Sequence, residues 1–366
     1  MRYGAKVIPV LSPEAAKFID PMIFEWATGE RPITVIEGNV EHVKYAGLSK
    51  DKADLVLIAP ITANSLSKIA TGIMDTTVTL IAGTALGNKI PIIMVPTMHE
   101  VMMHNPAIEA NISKLEEMGV IFISPRVEEE KAKIPEDEEI LNVCLRKLYD
   151  NSLEGKKILV TAGPTRAYID GVRFISNPSS GKMGYSIALE AWRRGGNVKL
   201  VYGASLIAPP IFLENSTRVE TAKEMYDEVI QVIKTENYDL VFLAAAMNDF
   251  EPDTTLDKKL SSSDSFELKL KPTEKLADKV KEVSPSTSLV LFKAEFKKSE
   301  QELVDIATKR MKEANADMIV ANDVSFKEHG FESDNNKVVI INKNDEKKWI
   351  EGSKLEVAKN ILSLLK

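Results

Sequence analysis

The sequence has few of the residues that cross-link or anchor a protein. A single cysteine among 366 residues excludes a disulfide framework and favours a reducing compartment, so we expect a cytoplasmic protein. Four scattered histidines and that cysteine offer no zinc-ligand spacing, so we assign no metal ligands. No apolar run is long enough to span a bilayer, and no apolar signal core opens the chain. We therefore expect no membrane partner.

The net charge and the chain length further limit the class of protein. The chain carries 47 basic and 54 acidic residues, a net charge of −7, so it lacks the basic field that recruits nucleic acid. Its 44% hydrophobic content is that of an ordinary globular protein. A chain of this length exceeds one ordinary core and suggests two domains.

Short apolar runs alternate with amphipathic stretches, which predicts an α/β fold with parallel sheets. We predict two doubly wound, Rossmann-like domains, residues 1–150 and 156–366, divided at the polar segment 150–155. Because the chain enters an apolar run at once, we expect a strand–helix unit of about 30 residues to be missing upstream. The predicted strands are residues 6–11, 53–59, 90–95, 120–123, 157–161, 197–202, 239–246, 288–292, 318–321 and 337–341. The main predicted helices are residues 64–70, 106–118, 137–149, 182–194 and 221–233, and residues 253–265 are expected to form a mobile loop.

The densest signal lies between Thr161 and Gly184. A strand ends in a small-residue turn at Gly163, and a Ser/Gly-rich loop then opens a helix. Free N–H groups at such a helix start, together with the helix dipole, bind phosphate. The loop matches neither the dinucleotide fingerprint nor the P-loop, and a plain capped helix is the alternative. The candidate binding residues are Gly163, Ser179, Ser180, Gly181 and Lys182.

A second element, Ala244-Ala-Ala-Met-Asn-Asp-Phe250, follows a predicted strand at the end where α/β sheets place ligands. Ala245 would let a flat base approach the backbone, and Asp249 could hold a metal, a ligand hydroxyl or simply a helix cap. In the loop beyond, Lys259 is either solvated surface or part of a lid over phosphates.

These strings, with Phe292-Lys-Ala-Glu295 and Ala321-Asn-Asp-Val324, resemble phosphopantothenate–cysteine ligase, the C-terminal half of the bifunctional coenzyme A biosynthesis family. The resemblance implies that CTP with Mg²⁺ activates 4′-phosphopantothenate as an acyl-cytidylate, which cysteine then attacks. It assigns the acyl intermediate to Asn177 with Arg173 nearby, and the triphosphate to Lys259. It implies nucleotide-pocket roles for the residues Ala245, Asp249 and Phe292. Some relatives use ATP instead.

In the N-terminal half, Ala59-Pro-Ile-Thr-Ala-Asn-Ser65 follows one strand, and Pro96-Thr-Met-His99 follows another. Small and hydroxylated residues there can take a phosphate or a flat cofactor, although Asn64 or Ser65 could simply cap a helix. The pattern is similar to phosphopantothenoylcysteine decarboxylase, an FMN enzyme that occupies the other half of the same bifunctional family. The resemblance implies that His42 is the active-site histidine and that FMN is bound by Ser12, Pro60, Thr62, Ala63, Asn64, Asp75 and Met98.

This half departs from the bacterial pattern at two places. His99 stands where the family has an asparagine, and residues 125–131 lack the cysteine of the bacterial clamp. Cys144 lies among apolar residues of the next predicted helix, so we interpret it as a core residue. Both variants resemble the archaeal branch of the family.

Three alternatives stay open at the level of sequence. The N-terminal half could be a degenerate oligomerisation domain beside an active ligase, or the chain could be a non-catalytic nucleotide- or flavin-binding module. A dehydrogenase is disfavoured because GxGxxG is absent. By resemblance, decarboxylase halves form trimers and ligase halves form dimers, so we expect a homo-oligomer.

Overall fold

The computed structural model describes residues 4–128, 131–205, 209, 213, 215–256, 258–259, 266–326 and 328–365. The chain divides into two compact units, Met1–Leu148 and Tyr149–Lys366. The helices are α1 Ala15–Phe18, α2 Pro21–Thr28, α3 Glu41–Ala46, α4 Ala63–Thr71, α5 Thr77–Gly87, α6 Glu100–Met103, α7 Pro106–Glu117, α8 Asp137–Leu148, α9 Lys182–Arg193, α10 Ala222–Thr235, α11 Leu276–Val283, α12 Glu300–Glu313 and α13 Lys354–Ser363. The strands of the N-terminal unit are β1 Val56–Ile61, β2 Ile92–Pro96, β3 Ile121–Phe122, β4 Arg126–Glu128 and β5 Lys131–Lys133. Those of the C-terminal unit are β6 Lys157–Ala162, β7 Arg166–Tyr168, β8 Phe174–Ser176, β9 Asn197–Tyr202, β10 Ser216–Arg218, β11 Leu240–Leu243, β12 Phe250–Pro252, β13 Leu270–Pro272, β14 Ser288–Glu295, β15 Met318–Asp323, β16 Asn335–Asn342 and β17 Lys347–Ser353.

The N-terminal unit is built on three parallel strands in the order β1-β2-β3. Along β2 the side chains alternate between faces. Ile92 and Met94 join a core with residues of α4, α5 and α7, whereas Ile93 and Val95 pack with Cys144 of α8. Helices therefore cover both faces of this sheet, as a parallel sheet requires.

The predicted strand at residues 6–11 is wrong. Only an isolated bridge forms there, between Val10 and Ile33. Leu11 N–H donates to the Ile33 carbonyl at 3.0 Å, and Ile33 N–H to the Pro9 carbonyl at 2.9 Å. Pro9 has no N–H to extend a ladder, so an apolar run that reads as a strand stays a short extended connection.

The C-terminal unit contains an eight-stranded sheet in the order β10-β9-β6-β11-β14-β15-β16-β17. The first six strands are parallel, and β16 and β17 are added antiparallel. From β6 the chain moves outward through β9 and β10, then returns to β11 on the other side. This is the doubly wound order with a switch point between β6 and β11, so the predicted α/β class is confirmed.

The sequence signals for the helices and strands of this unit are mostly confirmed, with local corrections. The Thr221–Glu224 capping box opens α10 as predicted. The strand predicted at 239–246 ends at Leu243, because the Ala245 and Ala246 amides bind Thr161 Oγ1 and the Gly163 carbonyl instead of a ladder. Of the predicted loop 253–265, residues 257 and 260–265 lie outside the described residues. None of the described helices is long and apolar enough to cross a membrane.

Candidate functional site

The carboxyl ends of β6 and β11 meet at the switch point. Ala246 N–H donates to the Gly163 carbonyl at 2.9 Å, and Pro164 forms an isolated parallel bridge with Ala246. Two of the sequence-predicted elements, the turn after β6 and the small-residue segment after β11, are therefore side by side. In doubly wound sheets this crevice is where ligands bind.

The loop before α9 approaches the same turn so closely that only glycine fits. Gly181 has φ of 79°, and a Cβ there would lie 2.9 Å from the Tyr185 ring and 3.2 Å from Gly163. A Cβ on Gly184 would lie 2.6 Å from that of Ala162. Ser205 Oγ donates to the Ser180 carbonyl at 2.7 Å and secures the loop from the β9 side. The start of α9, with its outward N–H groups, is thus held at the crevice.

Lys182 is paired in this arrangement. Its ammonium donates to the Asp334 carboxylate at 2.6 Å and to the Glu332 carbonyl at 3.1 Å. The hydrogen bond from Lys182 lowers the pKa of Asp334. Lys182, one of the candidate binding residues in the sequence, therefore braces the loop against residues 332–334.

Asn177 links the loop to the segment after β11. Its Nδ2 donates to the carbonyls of Ala246 and Met247, each at 3.2 Å. The side chain is exposed, so it lies at the open side of the crevice.

Arg173 is positioned by a buried acid. Asp170 is fully buried, and one of its oxygens accepts the N–H groups of Val172 and Arg173 at 2.8 Å each. Its other oxygen lies 3.8 Å from the Arg173 guanidinium. These bonds shape the turn between β7 and β8 and place Arg173 on it.

Asn248 is a site residue that the sequence did not single out. It is 5% exposed, and its N–H donates to Thr165 Oγ1 at 2.9 Å. Its side-chain amide donates to the Ile175 carbonyl at 3.0 Å, and its backbone carbonyl accepts from Thr273 Oγ1 at 2.6 Å. One residue thereby ties the turn after β6, the strand β8 and the segment after β13 together. Its position between Met247 and Asp249 was the available signal.

The nucleotide-pocket candidates lie around this frame. Ala245 N–H donates to Thr161 Oγ1 at 3.2 Å, which fixes the backbone after β11. Phe292 lies on the neighbouring strand β14 and is partly buried. Asp249 forms an ion pair with Lys275, so in this state its carboxylate is compensated by a side chain of the chain itself.

Lys259 is exposed and lies after a segment anchored to the site. Leu256 N–H donates to the Ile169 carbonyl at 3.0 Å, and Thr255 Oγ1 to the Tyr168 carbonyl at 3.3 Å. The base of the predicted lid is therefore fixed beside β7, three residues before Lys259.

In the N-terminal unit, two loops meet at the carboxyl ends of β1 and β2. Pro60 lies within β1, and Thr62 Oγ1 accepts from Ser65 N–H at 3.5 Å as the cap of α4, which begins with Ala63 and Asn64. Thr97 N–H donates to the Ile61 carbonyl at 3.2 Å, so buried Met98 follows directly beside this cap. Thr97 Oγ1 is buried and, among the described residues, has no hydrogen-bond partner.

A third contact links the segments that contain Ser12 and Asp75. Thr77 Oγ1 donates to the Leu11 carbonyl at 2.6 Å, which places Ser12 near the start of α5. Ser12 Oγ accepts from Ala15 N–H at 3.1 Å. Asp75 accepts a 2.7 Å hydrogen bond from Lys68, which lowers the pKa of its carboxyl.

The remaining candidates of this unit lie on other elements. His42 is on α3 and partly exposed, and exposed His99 precedes α6. Cys144 is buried on α8, as predicted for a core residue, and burial raises the pKa of its thiol to about 11. Of the clamp segment 125–131, residues 129–130 lie outside the described residues; Arg126–Glu128 and Lys131–Lys133 form the antiparallel pair β4–β5.

Known proteins match both units. The family described as the DNA/pantothenate metabolism flavoprotein C-terminal domain matches residues 153–366, and the flavoprotein family matches residues 1–149. A coenzyme A biosynthesis bifunctional protein CoaBC of Thermococcus kodakarensis is 45% identical over 99% of this chain and 88% of its own. The protein of that name from Methanocaldococcus jannaschii is 37% identical over 100% and 88%. A crystal structure of the DNA/pantothenate metabolism flavoprotein from Streptococcus pneumoniae is 27% identical, with a TM-score of 0.51, over 58% of this chain and 98% of that one.

Fold, crevice and matches together define a two-part α/β enzyme with a flavoprotein unit followed by a doubly wound ligase-type unit. The chain belongs to the family of bifunctional coenzyme A biosynthesis proteins. The resemblance stated from the sequence motifs is therefore confirmed.

Proposed function

We propose that the C-terminal unit joins 4′-phosphopantothenate to cysteine at the expense of CTP, with Mg²⁺ accompanying the nucleotide. The observation that carries this proposal is the attachment of Asn177 to the segment after β11, at the switch point of a doubly wound sheet. It brings the loop before α9 and the segment Ala244–Phe250 to one crevice. A dehydrogenase would need the dinucleotide fingerprint that the turn after β6 lacks.

The reaction has two displacements. A carboxylate oxygen of phosphopantothenate attacks the α-phosphorus of CTP, and pyrophosphate leaves with the electrons of the broken P–O bond. The amine of cysteine then attacks the acyl carbon, loses a proton, and CMP leaves. We assign the triphosphate to the loop Ser179–Gly181 at the start of α9 and to Lys259, and the acyl intermediate to Asn177 with Arg173.

Pocket roles for Ala245, Asp249 and Phe292 complete the assignment. The backbone at Ala245 is fixed by Thr161, so a flat base can lie against it without a side chain intervening. Asp249 would have to exchange Lys275 for a nucleotide hydroxyl or Mg²⁺. Nucleotide binding would then require the ion pair between Asp249 and Lys275 to open.

We propose that the N-terminal unit holds FMN and decarboxylates the product of the ligase to 4′-phosphopantetheine. The buried, unpartnered Thr97 hydroxyl fits a polar ligand that the chain alone does not supply. The start of α4 with Thr62, Ala63 and Asn64 would take the phosphate, and Ser12, Pro60, Asp75 and Met98 would line the site. When bound, FMN supplies the oxidation and reduction, and His42 would move a proton.

A homo-oligomer is the proposed assembly. Phe18 of α1 is 86% exposed and Trp26 of α2 87% exposed, and Met22 and Ile23 of α2 are exposed as well. Helix α2 buries none of its residues within the unit, although its sequence is apolar. An apolar face of this kind indicates a protein contact, and a second copy of the same chain is the proposed partner.

The test is pyrophosphate release with phosphopantothenate, cysteine and Mg²⁺, with CTP compared with ATP and the visible spectrum recorded first. Release that depends on phosphopantothenate supports the ligase, and a flavin spectrum supports the decarboxylase. Turnover without flavin would leave a ligase with a degenerate N-terminal unit. No turnover with either nucleotide would overturn the proposal in favour of a binding module.

A further inference from the structure

Lys354 is a buried lysine outside the catalytic assignment. It is the first residue of α13 and 5% exposed. Its ammonium donates to the backbone carbonyls of Gly330 at 3.4 Å, of Phe331 at 3.0 Å and of Ser333. A buried ammonium is costly unless its donors are used, and here three donors meet three carbonyls. All three belong to one segment, residues 330–334, which we name the bracing segment.

The bracing segment, held by Lys354, also forms hydrogen bonds with the loop before α9 and the first residue of that helix. Ser180 Oγ donates to the Phe331 carbonyl at 2.9 Å, and Lys182 donates to the Glu332 carbonyl and the Asp334 carboxylate. The Phe331 carbonyl is thus shared between Lys354 and Ser180. If a substitution of Lys354 shifts this carbonyl, the hydrogen bond from Ser180 transmits the shift to the loop Ser179–Gly181.

We infer that Lys354 is a positioning residue of the ligase half, which fixes the bracing segment so that Ser180 and Lys182 hold the loop in the geometry that receives the nucleotide triphosphate. The inference rests on the proposed nucleotide role of this loop. Its chemistry requires a group with three donors: the three carbonyl oxygens only accept hydrogen bonds, and of the two forms of lysine only the ammonium offers three N–H groups. A purely space-filling role would be met equally well by methionine.

Because the positioning role depends on the protonated amine of Lys354, it predicts a pH dependence of nucleotide binding. Burial lowers the pKa of Lys354 to about 8; the nearby charge of Lys182 acts in the same direction and that of Asp334 opposes it. A neutral amine has two N–H donors, so one of the three carbonyls loses its partner as the pH rises through about 8. Between about pH 8 and the ordinary lysine pKa, Lys354 is more protonated in the unfolded chain than in the folded one. The free energy of unfolding therefore rises with pH in this range. A loosened loop would therefore appear as weaker nucleotide binding without loss of the fold.

The experiment measures KM for CTP and kcat by pyrophosphate release in the wild type, Lys354→Met, Lys354→Arg and the control Lys343→Met, an exposed lysine of the turn after β16. Lys354→Met is expected to raise KM about tenfold with kcat changed about threefold at most, and Lys354→Arg to restore most of the loss. Lys343→Met should match the wild type. Equal KM values for the wild type and Lys354→Met would overturn the inference, as would a fall in kcat and melting temperature alone.

A second measurement does not depend on the folding of Lys354→Met. KM for CTP is followed from roughly pH 6.5 to 9.5 in the wild type and in Lys354→Arg, whose guanidinium stays charged throughout. We expect KM of the wild type to rise above about pH 8 and that of the arginine variant to stay level. Superimposable profiles would contradict the role of the ammonium. Absence of pyrophosphate release in the wild type would instead remove the proposed function itself.

Discussion

Asn177 Nδ2 lies 3.2 Å from the carbonyl oxygen of Ala246, across 69 residues of sequence. This hydrogen bond joins a residue of the loop before α9 to the segment that follows β11, on the other side of the switch point. With its amide nitrogen engaged by two carbonyls, the side chain is held in one orientation at the crevice. Because the side chain is already ordered, its amide oxygen can bind a substrate without a further loss of side-chain entropy.

Asn177→Ala is expected to let pyrophosphate release proceed while the transfer to cysteine falls about 100-fold. The reason is that Asn177 is assigned to the acyl intermediate and not to the triphosphate. Rapid-quench assays that follow pyrophosphate and the amide product separately measure both steps. Asn344→Ala, on the exposed turn after β16, is the matched control. Full amide formation by the Asn177 variant would remove this residue from the mechanism.

Lys259→Ala is expected to slow the earlier step, because its ammonium is assigned to charge that develops on the triphosphate. Pyrophosphate release should fall about 100-fold, and the fall should persist at saturating CTP. The control is Lys269→Ala, an exposed lysine beyond the lid segment. Equal losses in both variants would point to a general effect of surface charge, and unchanged release in the Lys259 variant would contradict the lid role.

The parts of the site that sequence could predict are those encoded by local pattern. Small residues after β6 and β11 and the Ser/Gly run before α9 mark strand ends and a helix start, and these features recur in any doubly wound sheet. Pairings across long stretches of chain could not be predicted. Asp334 lies 152 residues from Lys182, and nothing local to either residue indicates the contact. The wrongly predicted strand at residues 6–11 shows the converse: its apolar residues indicated a strand, but Pro9 limits the pairing to a single bridge with Ile33.

Gly203 tests the close packing behind the crevice. A Cβ on Gly203 would lie 2.0 Å from the Pro164 carbonyl oxygen, so Gly203→Ala must displace the turn after β6. We expect a loss of about 1–3 kcal/mol in the free energy of unfolding, measured by urea denaturation, together with weaker CTP binding. Gly171→Ala is the control, since its Cβ would meet nothing within 4 Å. Equal stability of the two variants would show that the turn adjusts freely.

Cys144 tests whether the one thiol of the chain takes part in decarboxylation. Burial raises the pKa of this thiol to about 11, so it stays protonated and unreactive at neutral pH. Iodoacetamide at neutral pH should label it only as fast as the N-terminal unit opens. Cys144→Ala should leave the decarboxylation rate unchanged while the unit loses about 1 kcal/mol of stability. A decarboxylase rate that collapses in this variant, with the fold intact, would assign the proton transfer to Cys144 after all.

Trp26 tests the proposed assembly surface. It is 87% exposed on a helix that contributes nothing to the core of its own unit, so a charge at this position costs little in an isolated subunit. In an oligomer that covers this face, Trp26→Glu would bury an unpaired carboxylate, and we expect the mass measured by sedimentation to fall toward that of one chain. Leu48→Glu, at a 94% exposed position after α3, serves as the control for added surface charge. If both variants keep the mass of the wild type, the subunit contact lies elsewhere. If the melting temperature of the Trp26 variant falls together with its mass, contact between subunits also stabilises the flavoprotein unit.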